Sequence, residues 1–387
     1  MKIKCVVQRY GERIIGGAEL HCRLIAEQLA RQHEMEIVTT CAADYLTWEN
    51  IFPEGTEIIN SIPVRRFSVA QPKPPDFDLI AFNTLHGYPS AKEEKLYLEA
   101  HGPVCPDMID YLSHSNDTDR FILFSYRYWT TWAALRQIGK KAVLVPTAEH
   151  DKTLYLGIHR DSFHRPLAIA YNSPEERALI NQISGNEKIP GITVGVGLAP
   201  IETNDLKAQI LIDIPSKYFI YVGRIEESKG CSRLIHDYIE FHKSVIHPPA
   251  LVFVGKQEMA IPSHPGIFYL GIQPDAFKMH LVSKAVALIM PSRYESLSMV
   301  LLEAWKMRRP VVCNAYCDVL RGQCNRSKGG LYYRNTDELV EILTLLSLRP
   351  DIGDRMGENG ERYYRENYDW QIILKKYDRL LQGLGDE

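Results

Sequence analysis

Short β-branched and aromatic runs alternate with segments of helical periodicity along nearly the whole chain. This alternation dictates parallel sheets, because parallel strands need long crossovers and the crossover helices cover the sheet faces. In the first half the strand-like runs are Ile3–Val7, Glu36–Thr39, Val64–Phe67, Phe121–Phe124, Ala142–Pro146, Ala168–Tyr171 and Thr193–Val196. Between the first two, residues 18–31 place Leu20, Leu24, Ala26, Leu29 and Ala30 on one helical face. The second half repeats the pattern with Tyr218–Val222, Leu251–Val254, Phe268–Leu270, Val286–Met290, Val311–Cys313 and Leu331–Tyr332. The stretch from Gln71 to Asp119 follows neither period and reads as loops with short helices. A chain of 387 residues exceeds one ordinary core, so two α/β domains are expected. Gly197-Leu198-Ala199-Pro200 reads as the linker. It sets an N-terminal domain at 1–197 and a second at 198–367. An amphipathic helix at about 368–387 is expected to pack back on the first domain.

Several function classes are disfavoured by composition. A net charge of −3 gives no basic field for nucleic acid. The local pairs Arg65-Arg66 and Arg308-Arg309 would suit peripheral contact at the inner face of a membrane, though a solvated surface is the plainer reading. No segment approaches the roughly 18 apolar residues of a membrane span, and the run after Lys4 is too short for a signal peptide. Eight cysteines without a C-x-x-C pair suit a reduced, cytoplasmic protein. Cys313, Cys317, Cys324 and His280 match no zinc spacing, so no metal is expected.

In open α/β sheets ligands collect where strands end. After the first strand, Gly16-Gly17 precede a helix and allow backbone N–H groups to approach an anion; an ordinary tight turn is the alternative. After Tyr218–Val222, Arg224 and Lys229 stand between Gly223 and Gly230 and suit a diphosphate, unless they merely pair with Glu226 and Glu227. After Val286–Met290, Glu295 lies in a loop, Ser298 is placed to cap a helix, and Glu303 lies inside that helix. The N–H groups of Ser298, Met299 and Val300 would point at phosphates between the two carboxylates. Acidic residues near a helix start also arise from the helix dipole alone. His150 follows the Ala142–Pro146 strand, where a loop histidine can meet a substrate hydroxyl or serve no ligand at all.

Taken in order, these segments resemble the retaining, metal-independent glycosyltransferases of the GT-B fold, family 4 in the sequence classification. Gly16-Gly17-Ala18-Glu19 is similar to that family's N-terminal glycine loop, Gly223-Arg224 through Lys229-Gly230 to its Gly-Arg…Lys-Gly clamp, and Glu295 with Glu303 to its E-x7-E motif. The resemblance implies two Rossmann-like domains facing each other across a cleft. It assigns Arg224 and Lys229 to the donor diphosphate, Glu303 to the ribose, Glu295 and His150 to the transferred hexose, and Ile272 to backbone contacts with the base. Three positions depart from the pattern: Leu297-Ser298 replaces the usual Phe-Gly, Glu149 stands where relatives place His, and Arg309 replaces a Gly. The implied reaction moves a hexose from a nucleotide-diphospho-sugar, UDP-glucose or another UDP-hexose, to a saccharide or lipid-linked saccharide, with no cofactor, as in polysaccharide biosynthesis. The segment 71–119 would face that acceptor. A sugar-nucleotide epimerase, an inverting GT-B enzyme and a non-catalytic two-lobed sugar-binding protein are the competing readings.

Overall fold

A computed structural model of the chain describes residues 1–12, 14, 16–199 and 214–384. It divides into two compact units, Met1–Gly197 with Trp370–Glu387, and Leu198–Asp369.

The first unit holds β1 (Lys2–Val6), β2 (Glu34–Thr40), β3 (Gly55–Ile59), β4 (Ile62–Phe67), β5 (Arg120–Phe124), β6 (Ala142–Val145), β7 (Ala168–Tyr171) and β8 (Gly191–Thr193). They form one sheet in the order β3-β4-β2-β1-β5-β6-β7-β8. All neighbours are parallel except β3, which pairs antiparallel with β4 in the register Ile59↔Ile62. The two-residue turn between them, Asn60 and Ser61, has φ of 48° and 66°, the positive pair a twisted hairpin favours. Only β4 was among the expected strands, as Val64–Phe67; β3 was not, because it lies almost wholly exposed and carries no buried alternation. The last expected strand, Thr193–Val196, lies earlier, at Gly191–Thr193.

Within Gln71–Asp119 the structure places three helices, Phe77–His86, Ala91–His101 and Pro106–Ser113. The middle one starts with a capping box between Ser90 and Glu93. The helix Pro350–Tyr368 ends before Asp369, and the expected tail helix follows as Trp370–Leu381. The latter buries Ile373, Tyr377, Leu380 and Leu381, and its Leu381 carbonyl accepts a hydrogen bond from Arg120 at 2.5 Å. At its start, a side chain on Gly197 would strike the Trp370 indole.

The second unit holds β9 (Tyr218–Val222), β10 (Ala250–Val254), β11 (Ile267–Tyr269), β12 (Leu288–Met290), β13 (Val311–Asn314) and β14 (Gly330–Tyr333). Their order is β11-β10-β9-β12-β13-β14, and all pairs are parallel. Every residue of β9 and β10 is buried, as expected for strands covered on both faces. The helix Met299–Lys306, which carries Glu303, is anchored by buried Trp305, whose Nε1 donates to the Gly329 carbonyl at 3.0 Å. Gly360 of the helix Pro350–Tyr368 lies against that indole, where a side chain would not fit. The linker glycine Gly197 closes the first unit; Pro200 lies outside the described residues.

The first unit buries two histidines without full hydrogen-bonding. His21 packs edge-on against Phe124 and His159 against Tyr126, and among the described residues His159 has no partner on either ring nitrogen. Burial lowers their pKa values to about 4 and about 3, helped at His159 by the charges of Arg127 and Arg136. Unfolded histidine titrates near 6.5, so acid protonates the unfolded chain first. Their contribution to stability is therefore intact above that pH and is lost as pH falls toward 4. Each costs about 1.4 kcal/mol per pH unit in that window. We expect urea midpoints to drop steeply between pH 6 and 4, and the slope to lessen in His159→Phe. A flat profile would contradict this packing.

Candidate active site

The strand order reverses between β9 and β12, so the chain leaves their carboxyl ends in opposite directions and opens a crevice between the two loops. The β9 loop begins at Gly223, whose φ of 148° excludes side chains with a Cβ. The Tyr221 hydroxyl donates to the Arg224 carbonyl at 2.6 Å and fixes the backbone there. The Arg224 guanidinium donates to Glu226 at 3.1 Å, so one of the plain ion pairs considered from the sequence is present. Glu227 instead accepts from Ser232.

A short 3₁₀ turn, Glu227–Lys229, ends at Gly230 with φ 79°. A Cβ at Gly230 would stand 2.7 Å from the Pro291 carbonyl, so this glycine lets the β9 loop lie against the β12 loop. That contact brings Lys229 to Glu295: Nζ donates to Oε1 at 2.9 Å, with the side chains 25% and 14% exposed. Residues 66 positions apart are thereby joined.

Ser298 caps the helix Met299–Lys306, as its position in the sequence suggested. It has φ 70°, and its hydroxyl accepts the Leu301 N–H at 3.4 Å. The first N–H groups of any helix have no intrahelical acceptor. Those of Met299 and Val300 stand at this helix start, between the two carboxylates in sequence. Glu303 lies one turn further. Its Oε1 accepts from Lys278 at 2.9 Å, and its Oε2 is buried with no partner among the described residues. Burial raises its pKa, opposed mainly by the charge of Lys278. Lys278 also donates to Asp275 at 2.9 Å. Ile272 follows β11 and the turn at Gly271, with its side chain exposed.

Gly16, Gly17 and His150 belong to the first unit. Gly16 is extended, with φ −179°, and a Cβ on it would overlap the Glu19 carboxylate. Glu19 is buried and accepts from Gln8 at 3.0 Å and from Arg9. Gly17 opens the helix Gly17–Leu29 and has open space around its Cβ position. His150 lies on an exposed loop with Nε2 2.6 Å from the Tyr155 hydroxyl. Beside it, Arg127 pairs with Glu149 at 3.5 Å and with Asp151.

Sequence reasoning did not find Lys278, Glu19 or Glu176. Glu176 is buried and takes the Ala148 N–H and the Asn172 N–H at 2.5 Å each, joining the loop that carries His150 to the end of β7. Burial pushes its pKa up to about 8 against the pull of those two donors. Its only signal is the Ser173-Pro174-Glu175-Glu176 helix start, which reads equally well as ordinary capping.

Residues 202–363 match the family described as Glycosyl transferases group 1. Two uncharacterized glycosyltransferases of Methanocaldococcus jannaschii are similar. One is 23% identical over 61% of this chain and 62% of its own length, so the match spans less than two thirds of that relative. The other is 22% identical over 97% of this chain and 96% of its own length. Sucrose-phosphate synthase from Thermosynechococcus elongatus superposes with a TM-score of 0.71 at 13% identity, covering 98% of both chains. Anabaena HepE in complex with UDP-glucose superposes with a TM-score of 0.67 at 14% identity, covering 99% of this chain and 100% of the other. The chain has the GT-B fold expected from its sequence, with two α/β units built on largely parallel sheets.

Glu176→Ala would leave two buried N–H groups without acceptors, at about 1–3 kcal/mol each. We expect urea unfolding to show a loss of roughly 2–6 kcal/mol of stability, with a smaller loss in Glu176→Gln. An unchanged midpoint in the alanine variant would show that the loop is held by other contacts.

Proposed function

We propose that the protein is a retaining glycosyltransferase that moves a hexose from a nucleotide-diphospho-sugar to a hydroxyl of a saccharide acceptor. The observation that carries this reading is the meeting of Lys229 and Glu295 beside the Ser298-capped helix start at the β9/β12 reversal. Anionic groups are held at helix starts by N–H groups and the dipole, and Arg224 and Lys229 add a forked and a point cation. The orphaned oxygen of Glu303 suits a ribose hydroxyl. Glu295 and His150 are assigned to hydroxyls of the transferred hexose, and Ile272 to backbone contact with the base. Gly16 and Gly17 belong to this reading as the glycine loop of the donor site.

In this reaction the acceptor oxygen attacks the anomeric carbon from the side of the leaving group. The carbon–oxygen bond to the diphosphate breaks, and a departing phosphate oxygen takes the acceptor proton. The anomeric configuration is then retained and no protein nucleophile is required. Charge on the leaving diphosphate is met by Arg224, Lys229 and the helix start, an arrangement that operates without a metal. UDP-glucose or another UDP-hexose is the proposed donor, a reading supported by the UDP-glucose complex of Anabaena HepE, a protein of the same fold. The acceptor is proposed to be a growing polysaccharide or a lipid-linked saccharide, handled in the cytoplasm or at the inner membrane face. No described helix is long and apolar enough to cross a membrane.

A thermal-shift screen against UDP-, GDP- and ADP-sugars identifies the donor, since only a bound ligand raises the melting temperature. With that donor, Lys229→Ala and Glu295→Ala are each expected to lower turnover by about 100-fold or more while leaving the melting temperature of the free protein within a few degrees. Turnover near the parent level in either variant would remove the site assignment. An inverted product anomer, read by NMR, would remove the retaining mechanism.

A further inference from the structure

Glu303 presents an unusual combination: a nearly buried carboxylate with one oxygen bonded and the other buried without a donor among the described residues. A buried acceptor left empty costs free energy, so such groups are normally paired within the fold. What keeps this one open is Lys278. Its ammonium, only 17% exposed, donates to Glu303 Oε1 at 2.9 Å and to Asp275 Oδ1 at 2.9 Å. Glu303 lies on the helix Met299–Lys306, whereas Asp275 shares the helix Asp275–Lys284 with Lys278. Lysine swings freely when held by one bond. Held by two carboxylates on two helices, it cannot follow Glu303 Oε2 and satisfy it.

We infer that Lys278 is a positioning residue of the donor site, fixing the Glu303 carboxylate so that the protein leaves Oε2 without a donor and the ribose diol of a nucleoside diphosphate can supply one. The inference rests on the proposed donor reading of Glu303. It adds a residue that lies outside every sequence motif considered above and that acts on the ligand only through Glu303. Because Oε2 can only accept, the matching group must donate, and a ribose hydroxyl does. A phosphate oxygen would be repelled.

Calorimetric titration of the full-length protein with UDP, GDP and ADP, each beside its 2′,3′-dideoxy counterpart, tests this. For the nucleotide that binds, the parent protein is expected to favour the ribose form. Lys278→Met is expected to weaken the ribose form about tenfold and to leave the dideoxy form unchanged. Lys278→Arg should recover part of the loss. Asp275→Asn changes an exposed residue and should weaken the ribose form alone, by a smaller factor. Equal weakening of both forms, or an unchanged ribose form in Lys278→Met, would overturn the role of Lys278. Should the Met variant fail to fold, Asp275→Asn carries the same decision. A parent protein that binds both forms equally removes ribose from Glu303, and one that binds none of the three nucleotides removes the donor reading; either result takes the inference with it.

Discussion

Parallel strands cannot be joined by tight turns, so each strand of the second unit must be followed by an excursion that returns to the same end of the sheet. That constraint fixes where chemistry can be placed. Five crossovers in one unit force all carboxyl ends to one side, and the order β11-β10-β9-β12-β13-β14 contains a single point where neighbouring loops part. The β9 and β12 loops meet there because Gly230 has no side chain to hold the Pro291 carbonyl away. With any larger residue at Gly230 the loops would separate, and Lys229 would lose reach to Glu295.

The electrostatics of the crevice follow from the same approach. Within the fold, Lys229 is neutralised by Glu295, Arg224 by Glu226 and Lys278 by Glu303. Each cation therefore already has an acidic partner. A diphosphate entering between Arg224 and Lys229 competes with those carboxylates rather than meeting bare charge. At separations near 4 Å and an effective dielectric near 20, one unit pair is worth about 4 kcal/mol, so a ligand carrying more than one negative charge gains from the exchange. In the proposed reaction Glu295 would then be released to accept from sugar hydroxyls. Glu303 differs, because its open oxygen requires no exchange at all.

Much of this fold was legible in the sequence because buried parallel strands write themselves as unbroken apolar runs; Tyr218–Val222 and Ala168–Tyr171 fall where the pattern placed them. The antiparallel β3 was not legible, since a half-solvated edge hairpin needs no apolar run, and Asn60-Ser61 is a weaker turn signal than Asn-Gly. The tail helix expected at about 368–387 falls at Trp370–Leu381. At the site, residues within one loop could be read together, and Ser298 was recognised as a cap. Lys278 could not be. Its partner lies 25 positions away on another helix, and nothing local distinguishes it from a solvated lysine paired with Asp275. Glu176 was hidden for the same reason, its acceptors being used by Ala148 and Asn172 instead of by its own helix start.

The two adjacent glycines of the first unit show how a motif can contain two different physical reasons. Gly16 is needed by the protein itself: its backbone is extended, which any residue tolerates, but the inward carboxylate of Glu19 fills the space a Cβ would take. Glu19 is turned inward because Gln8 and Arg9, from the end of β1, donate to it. Gly17 has no such neighbour, and open space surrounds its Cβ position at the first residue of the helix. Packing among the described residues thus accounts for Gly16 and shows no contact at the Gly17 Cβ position. Of the two, it is the bare helix start at Gly17 on which the proposed approach of a donor anion rests.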